Sequence, residues 1–140
     1  MQIEELDTSK EEIREYDNFR VRAAHTLHTP QSLAYRVEKA GGKTLVYSGD
    51  TSCCDEIILL AKGCDLLILE CSFPDGQAVE GHLTPSEAGR IAQSAGARKL
   101  LLLHFYPEIL ETDIAGSCRK TYQGELVLGR DLMHLVLDPS

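Results

Sequence analysis

The sequence predicts an α/β domain built on a mixed β-sheet, and three observations carry that expectation. Residues 19–48 contain three β-rich runs, the last two joined across Gly41-Gly42, as in a hairpin. From residue 44 onward, short apolar runs alternate with helical patterns in a βαβα rhythm, the signature of parallel strands with helical crossovers. Thr84-Pro85-Ser86-Glu87 combines an N-cap hydroxyl, a proline at the first helical position and a glutamate three residues after the cap, which fixes one helix start.

Taken in order, residues 1–17 are strongly charged and read as a lead-in segment, with a helical stretch around Glu11 to Tyr16. Residues 18–140 form the domain. Phe19, Val21 and Ala23 alternate with Arg20 and Arg22 as a half-buried strand should. Ser32 to Glu38 and Lys43 to Ser48 follow as strands. Cys53 to Lys62 is a short helix, Leu66 to Leu69 a strand, Thr84 to Ala95 a helix stopped by Gly96, and Leu100 to Leu103 another strand. After Pro107 the chain reads as helical to about Tyr122. Glu125 to Leu128 and Met133 to Leu137 then close it as a hairpin.

Composition narrows the function classes. With 14 Lys plus Arg against 22 Asp plus Glu, the 140-residue chain has a formal charge of −8, which argues against a broad basic face for nucleic acid. Apolar residues at 43% and charged residues at 26% suit a folded domain with a real core. No apolar run reaches the length of a membrane span, and the N-terminus is acidic where a targeting peptide would be basic. A cytoplasmic location without membrane attachment is expected. Cys53, Cys54, Cys64, Cys71 and Cys118 make an odd count with no C-x-x-C pair, so they read as free thiols rather than disulfides or a zinc site.

Polar residues recur where apolar strands end. TLVYSGD ends on Asp50, LLILE on Glu70 and LLLLH on His104. Right-handed crossovers would make these strands parallel and bring all three ends to one sheet edge, where ligands of open α/β sheets bind. His and Asp suit zinc, iron or manganese, and an aspartate can be shared between two ions. His25 and His28, three residues apart after the first strand, supply two ligands or one ligand and a bystander. His82 precedes the capped helix, whose N-terminus favours an anion. It is a candidate proton donor there, against the alternative of a solvent-exposed loop residue.

Four ordered motifs, HTPQSLAYRVE, VYSGDT, GHLTPSEAG and LLLLHFYP, resemble the C-terminal half of metallo-β-lactamase fold hydrolases, in the branch that includes ribonuclease Z-like phosphodiesterases. The resemblance spans about Phe19 to Leu137. It implies half of an αββα sandwich, a mixed sheet with helices on one face and the other face awaiting a partner sheet. It also implies that His28 binds a first metal, leaving His25 as the bystander, that Asp50 bridges two metals, and that His104 binds the second. His82 would sit near the scissile phosphate to stabilise the transition state or protonate the leaving group. Glu70 receives no assigned role, though it could orient His82. The two divalent ions would be zinc first, manganese or iron otherwise.

The family's H-x-H-x-D-H loop, which supplies further ligands to both metals, occurs nowhere in this sequence. Two ligands per ion fall short of the usual three or four. The chain therefore reads as a fragment, split subunit or truncated product, inactive alone. It would pair with an N-terminal half or self-associate through its bare sheet face. Only 21 residues separate His28 from Asp50, too few for the RNA-gripping arm of tRNA-processing members. A small phosphodiester, an ester or a short oligonucleotide is the expected substrate. The alternative is a non-catalytic half-fold that assembles with a second chain.

Overall fold

Seven strands lie in one sheet in the order β1-β2-β3-β4-β5-β6-β7, in a computed structural model that describes Leu6 and residues 13–137. The strands are β1 (Ile13–Glu15), β2 (Phe19–His25), β3 (Leu33–Lys39), β4 (Thr44–Tyr47), β5 (Leu66–Glu70), β6 (Lys99–Leu103) and β7 (Glu125–Leu128). The first four form an antiparallel meander, and β4 to β7 are parallel. This is the expected mixed sheet.

The parallel half is linked by α1 (Asp55–Leu60), α2 (Pro85–Ala95), α3 (Pro107–Leu110) and α4 (Ile114–Arg119). Side-chain parity along the paired strands divides the sheet into two unlike faces. Val46, Leu67, Leu69, Leu100 and Leu102 share one face and are fully buried with Ile57 of α1 and Ala88, Ile91 and Ala92 of α2. Burying a side chain of this size contributes ~1.5–3 kcal/mol. Arg36 projects from the same face and donates from Nη1 to the carbonyls of Leu60 and Lys62 at 2.8 and 3.0 Å. It thereby satisfies acceptors that the end of α1 leaves open.

The opposite face carries Val37, Leu45, Ile68, Leu101 and Val127, with Tyr35 and Tyr47 paired across β3 and β4. These side chains are only half-buried or, at Tyr47, exposed. The helices α1 and α2 pack on the Val46 face, whereas Leu110 at the end of α3, with Met133 and Leu135, lines a cavity beside Leu101 and Leu103. The face that half of an αββα sandwich would turn toward a partner sheet is thus only partly covered.

Three elements differ from expectation. Ile13–Glu15 is an edge strand paired with β2, not part of a helix over Glu11 to Tyr16; residues 11 and 12 lie outside the described residues. Its residues are adequate helix formers, and pairing with β2 overrides that weak preference. At the other end, Glu125–Leu128 pairs parallel with β6 rather than folding back on Met133 to Leu137, which form no strand. The helical stretch after Pro107 breaks in two, with Asp113 capping α4 by accepting from Gly116 N–H at 2.8 Å. No helix among the described residues is long and apolar enough to cross a membrane.

Candidate metal centre

Because β4, β5 and β6 are parallel, Asp50, Glu70 and His104 emerge at one edge of the sheet. Two loops complete the cluster. The β2–β3 loop brings His28, held by a contact of 3.0 Å between Nδ1 and the carbonyl of Gly81. The loop before α2 brings His82, whose ring lies 5.2 Å from that of His28 and 5.8 Å from that of His104. Gly81 has φ 86, and a Cβ there would stand 2.7 Å from His28 Nδ1. Only glycine lets that carbonyl approach the imidazole so closely.

Asp50 occupies the middle. Its Oδ2 is 3.9 Å from His28 Nε2 and its Oδ1 is 3.6 Å from His104 Nδ1. The two carboxylate oxygens thus face different imidazoles, and at 40% exposure they remain open to a ligand. His104 itself has φ 63, a left-handed conformation that costs a non-glycine residue ~1–3 kcal/mol and clusters at functional sites.

Glu70 is 1% exposed. Its carboxylate accepts from Thr51 N–H at 3.1 Å, Leu83 N–H at 3.2 Å, Ser72 Oγ at 2.6 Å and His82 Nδ1 at 2.9 Å. Four donors saturate its lone pairs. Although Glu70, His82 and His104 present ligand atoms within 4.8 Å of one another, Glu70 has none left for an ion. His28, Asp50 and His82 also lie within that distance. His25, at the end of β2, belongs to neither group among the described residues.

The N-terminus of α2 is not a free anion site, as the sequence suggested. Asp75 accepts from Ser86 through both the backbone N–H and the hydroxyl, and Glu87 accepts from Thr84 N–H at 2.9 Å. Burial pushes the Asp75 carboxyl up, but the Ser86 hydrogen bonds outweigh it and hold it below its ordinary value. The helix end is closed by the protein's own carboxylates.

Ser72 and Tyr106 escaped the sequence reading. Ser72 Oγ touches Glu70 and His104, and Tyr106 lies against His82 and His104 at ring separations of 5.9 and 5.4 Å while stacking on Phe73 at 4.8 Å. The signal for Ser72 was its parity with Glu70, two residues earlier on an extended chain. The cysteines stay apart from the cluster: Cys64, Cys71 and Cys118 are buried free thiols, and burial pushes Cys64 and Cys118 up to about 11.

Residues 3–105 match the family model described as a β-lactamase superfamily domain. The chain belongs to the metallo-β-lactamase superfamily. Within it, ribonuclease Z of Streptomyces avermitilis is 37% identical over 100 residues, which cover 67% of this chain and 33% of that protein. The probable metallo-hydrolase YhfI of Bacillus subtilis is 35% identical over 115 residues, covering 80% of this chain and 46% of its own length. The crystal structure of YhfI superposes with a TM-score of 0.78 at 31% identity, over 85% of this chain and 50% of that one. Human tRNase Z, short form, gives 0.67 at 26%, over 86% and 44%. The chain is thus a ribonuclease Z-like member that spans a third to a half of the length of these metallo-β-lactamase relatives.

This superfamily consists of metal-dependent hydrolases, and the cluster fits divalent cations. Asp50 offers an oxygen on each side, with the imidazole rings of His28 and His104 beside them. Each side has two candidate ligands from this chain, or three on the His28 side if His82 takes part.

Proposed function

We propose that the chain supplies the C-terminal half of a binuclear metal centre that hydrolyses a phosphodiester, and that it is inactive until a segment bearing H-x-H-x-D-H completes the site. The observation that carries the proposal is the position of Asp50, with one carboxylate oxygen toward His28 and the other toward His104. In this reading His28 and His104 are ligands on opposite sides and Asp50 is shared. The ions, zinc first and manganese or iron otherwise, would supply an activated water and polarise the phosphoryl oxygen.

The protein's own part in the reaction falls to His82 and its support. Glu70 holds His82 Nδ1, so the ring is fixed and its Nε2 is left to meet the substrate. From there the ring, in its doubly protonated form, gives its Nε2 proton to the departing oxygen or stabilises charge on the phosphate, a contribution of about 10²–10⁴ in rate. Relatives called ribonuclease Z favour a phosphodiester. The net charge of −8 and the short β2–β4 region favour a small one or a short oligonucleotide over structured RNA, with a simple ester as the lesser candidate.

The half-covered sheet supplies the place for assembly. The Ile68 and Leu101 face would dock either the complementary half-fold or a second copy of the chain. A soluble protein keeps a continuous apolar patch of this kind for such a contact. A cytoplasmic setting agrees with the free thiols.

The test is complementation in trans. An N-terminal half containing H-x-H-x-D-H, from a relative such as YhfI, is co-expressed with the chain and assayed on bis-p-nitrophenyl phosphate with and without chelator. Metal-dependent hydrolysis that neither half shows alone supports the proposal. A stable, metal-free and inactive pair would instead establish the non-catalytic assembly module.

A further inference from the structure

We propose that Ser72 is a positioning residue which extends the grip of Glu70 from His82 to His104, so that one buried carboxylate sets the orientation and tautomer of both imidazoles. The inference rests on the proposed roles of those histidines for its purpose, but its geometry stands independently of them.

The hydrogen-bond directions follow from which groups can donate. An ionised carboxylate only accepts, so the Ser72 hydroxyl donates its single proton to Glu70 Oε2 at 2.6 Å. Ser72 Oγ then has only lone pairs for His104 Nδ1 at 2.9 Å, and the imidazole must carry its proton on Nδ1. The same logic places the proton of His82 on Nδ1, which faces Glu70 Oε1 at 2.9 Å. Its contact with Ser72 Oγ is longer, at 3.4 Å. His28 Nδ1 faces the Gly81 carbonyl at 3.0 Å, which also only accepts. In their neutral form all three rings are therefore held as Nδ1–H tautomers, with Nε2 offering a lone pair.

Ser72 is fully buried, so water does not compete for these bonds. It also ties down the loop that carries His104. The Ser72 carbonyl accepts from Tyr106 N–H at 3.3 Å, and the preceding Cys71 N–H donates to Leu103 at 2.8 Å. These contacts bracket the left-handed turn at His104. Asp50 Oδ1, at 3.6 Å from His104 Nδ1, lies beyond hydrogen-bond reach and does not replace the serine.

The experiment needs neither metal nor substrate. Histidine-¹⁵N-labelled chain, freed of metal with chelator and held in mildly alkaline buffer, is examined by long-range ¹H–¹⁵N correlation NMR, which reads the tautomer of each ring. In the wild type His104 should show the Nδ1–H pattern. Ser72→Ala should convert His104 to a mixture or to the Nε2–H form while leaving His28 unchanged, and Ser72→Thr, which keeps the hydroxyl, should restore it. An unchanged Nδ1–H pattern at His104 in Ser72→Ala overturns the proposal, as does a wild-type His104 in the Nε2–H form. If Ser72→Ala fails to fold, Ser72→Cys takes its place, filling the same space with a poor hydrogen-bond former. In the complemented pair, Ser72→Ala should also weaken zinc binding by about 10–100-fold, the usual loss when a ligand's outer partner is removed. A tautomer change without any zinc binding in the wild-type pair would uphold Ser72 and count against the metal-centre reading, so the two failures are distinct.

Discussion

His82 Nδ1 lies 2.9 Å from Glu70 Oε1, and through that contact a carboxylate that is almost wholly buried reaches the edge of the site. Glu70 also accepts from two backbone N–H groups and one hydroxyl. It is at once a structural node and the support of a functional ring.

Glu70→Ala should therefore be costly. It leaves Thr51 N–H and Leu83 N–H without their acceptor, and each buried donor so orphaned costs ~1–3 kcal/mol. Urea denaturation should show a lower midpoint with little change in slope. A midpoint within error of the wild type would mean that these donors find other partners.

His82→Ala and His104→Ala should part company in the complemented pair. His82→Ala should lower hydrolysis by about 10²–10⁴ with metal content unchanged, whereas His104→Ala should lose metal. Elemental analysis alongside the assay separates them. If His82→Ala strips metal, the grouping of His82 with His28 and Asp50 within 4.8 Å is a ligand set, and His82 is not the proton donor.

The partly covered sheet face should drive association. Sedimentation velocity of the chain alone at low micromolar concentration should show a dimer or larger species, since a specific contact buries at least ~1,000 Å². Tyr47→Asp, at an exposed position of that face, should shift the distribution toward monomer. A wild-type chain that stays monomeric and ignores an N-terminal half would remove this face as an assembly surface.

Stability should fall in acid through Asp65. The backbone N–H of Thr44 at 3.0 Å is the largest influence and lowers its pKa; burial opposes it, and Lys43 reinforces it. A carboxyl depressed in the folded state contributes stability above its unfolded value, near 3.8, and that contribution is lost as pH falls through the lower folded value. The melting temperature should drop below about pH 4, and Asp65→Asn should flatten that part of the curve. Equal acid sensitivity in Asp65→Asn would assign the effect to other groups, Glu38 and Asp75 being the next candidates because both are also held low.

Much of this site was legible in the sequence because strand order does the collecting. Apolar runs ending in Asp50, Glu70 and His104 announce their own convergence once the strands are parallel. The cap at Thr84 to Glu87 likewise states where α2 begins, and Gly96, at φ 65, where it ends. What stayed hidden depends on tertiary contact. Nothing in the sequence says that the carbonyl of Gly81 meets His28, that Asp75 closes the N-terminus of α2, or that Ser72 stands between Glu70 and His104. The misread ends have a common cause. Glu125–Leu128 is the strand expected, but its partner was misread, as was the conformation of Ile13–Glu15; both are short segments with weak periodicity, so the neighbour available for pairing decided the outcome.

The central claim is that Asp50 is shared between two metal ions, and counting ions tests it most directly. The complemented pair and its Asp50→Ala counterpart are purified side by side, and metal is measured by inductively coupled plasma mass spectrometry. The account predicts two ions per wild-type pair and loss of both in Asp50→Ala, because one substitution removes a ligand from each side at once. Two ions retained in Asp50→Ala, or a single ion in the wild type, would contradict it.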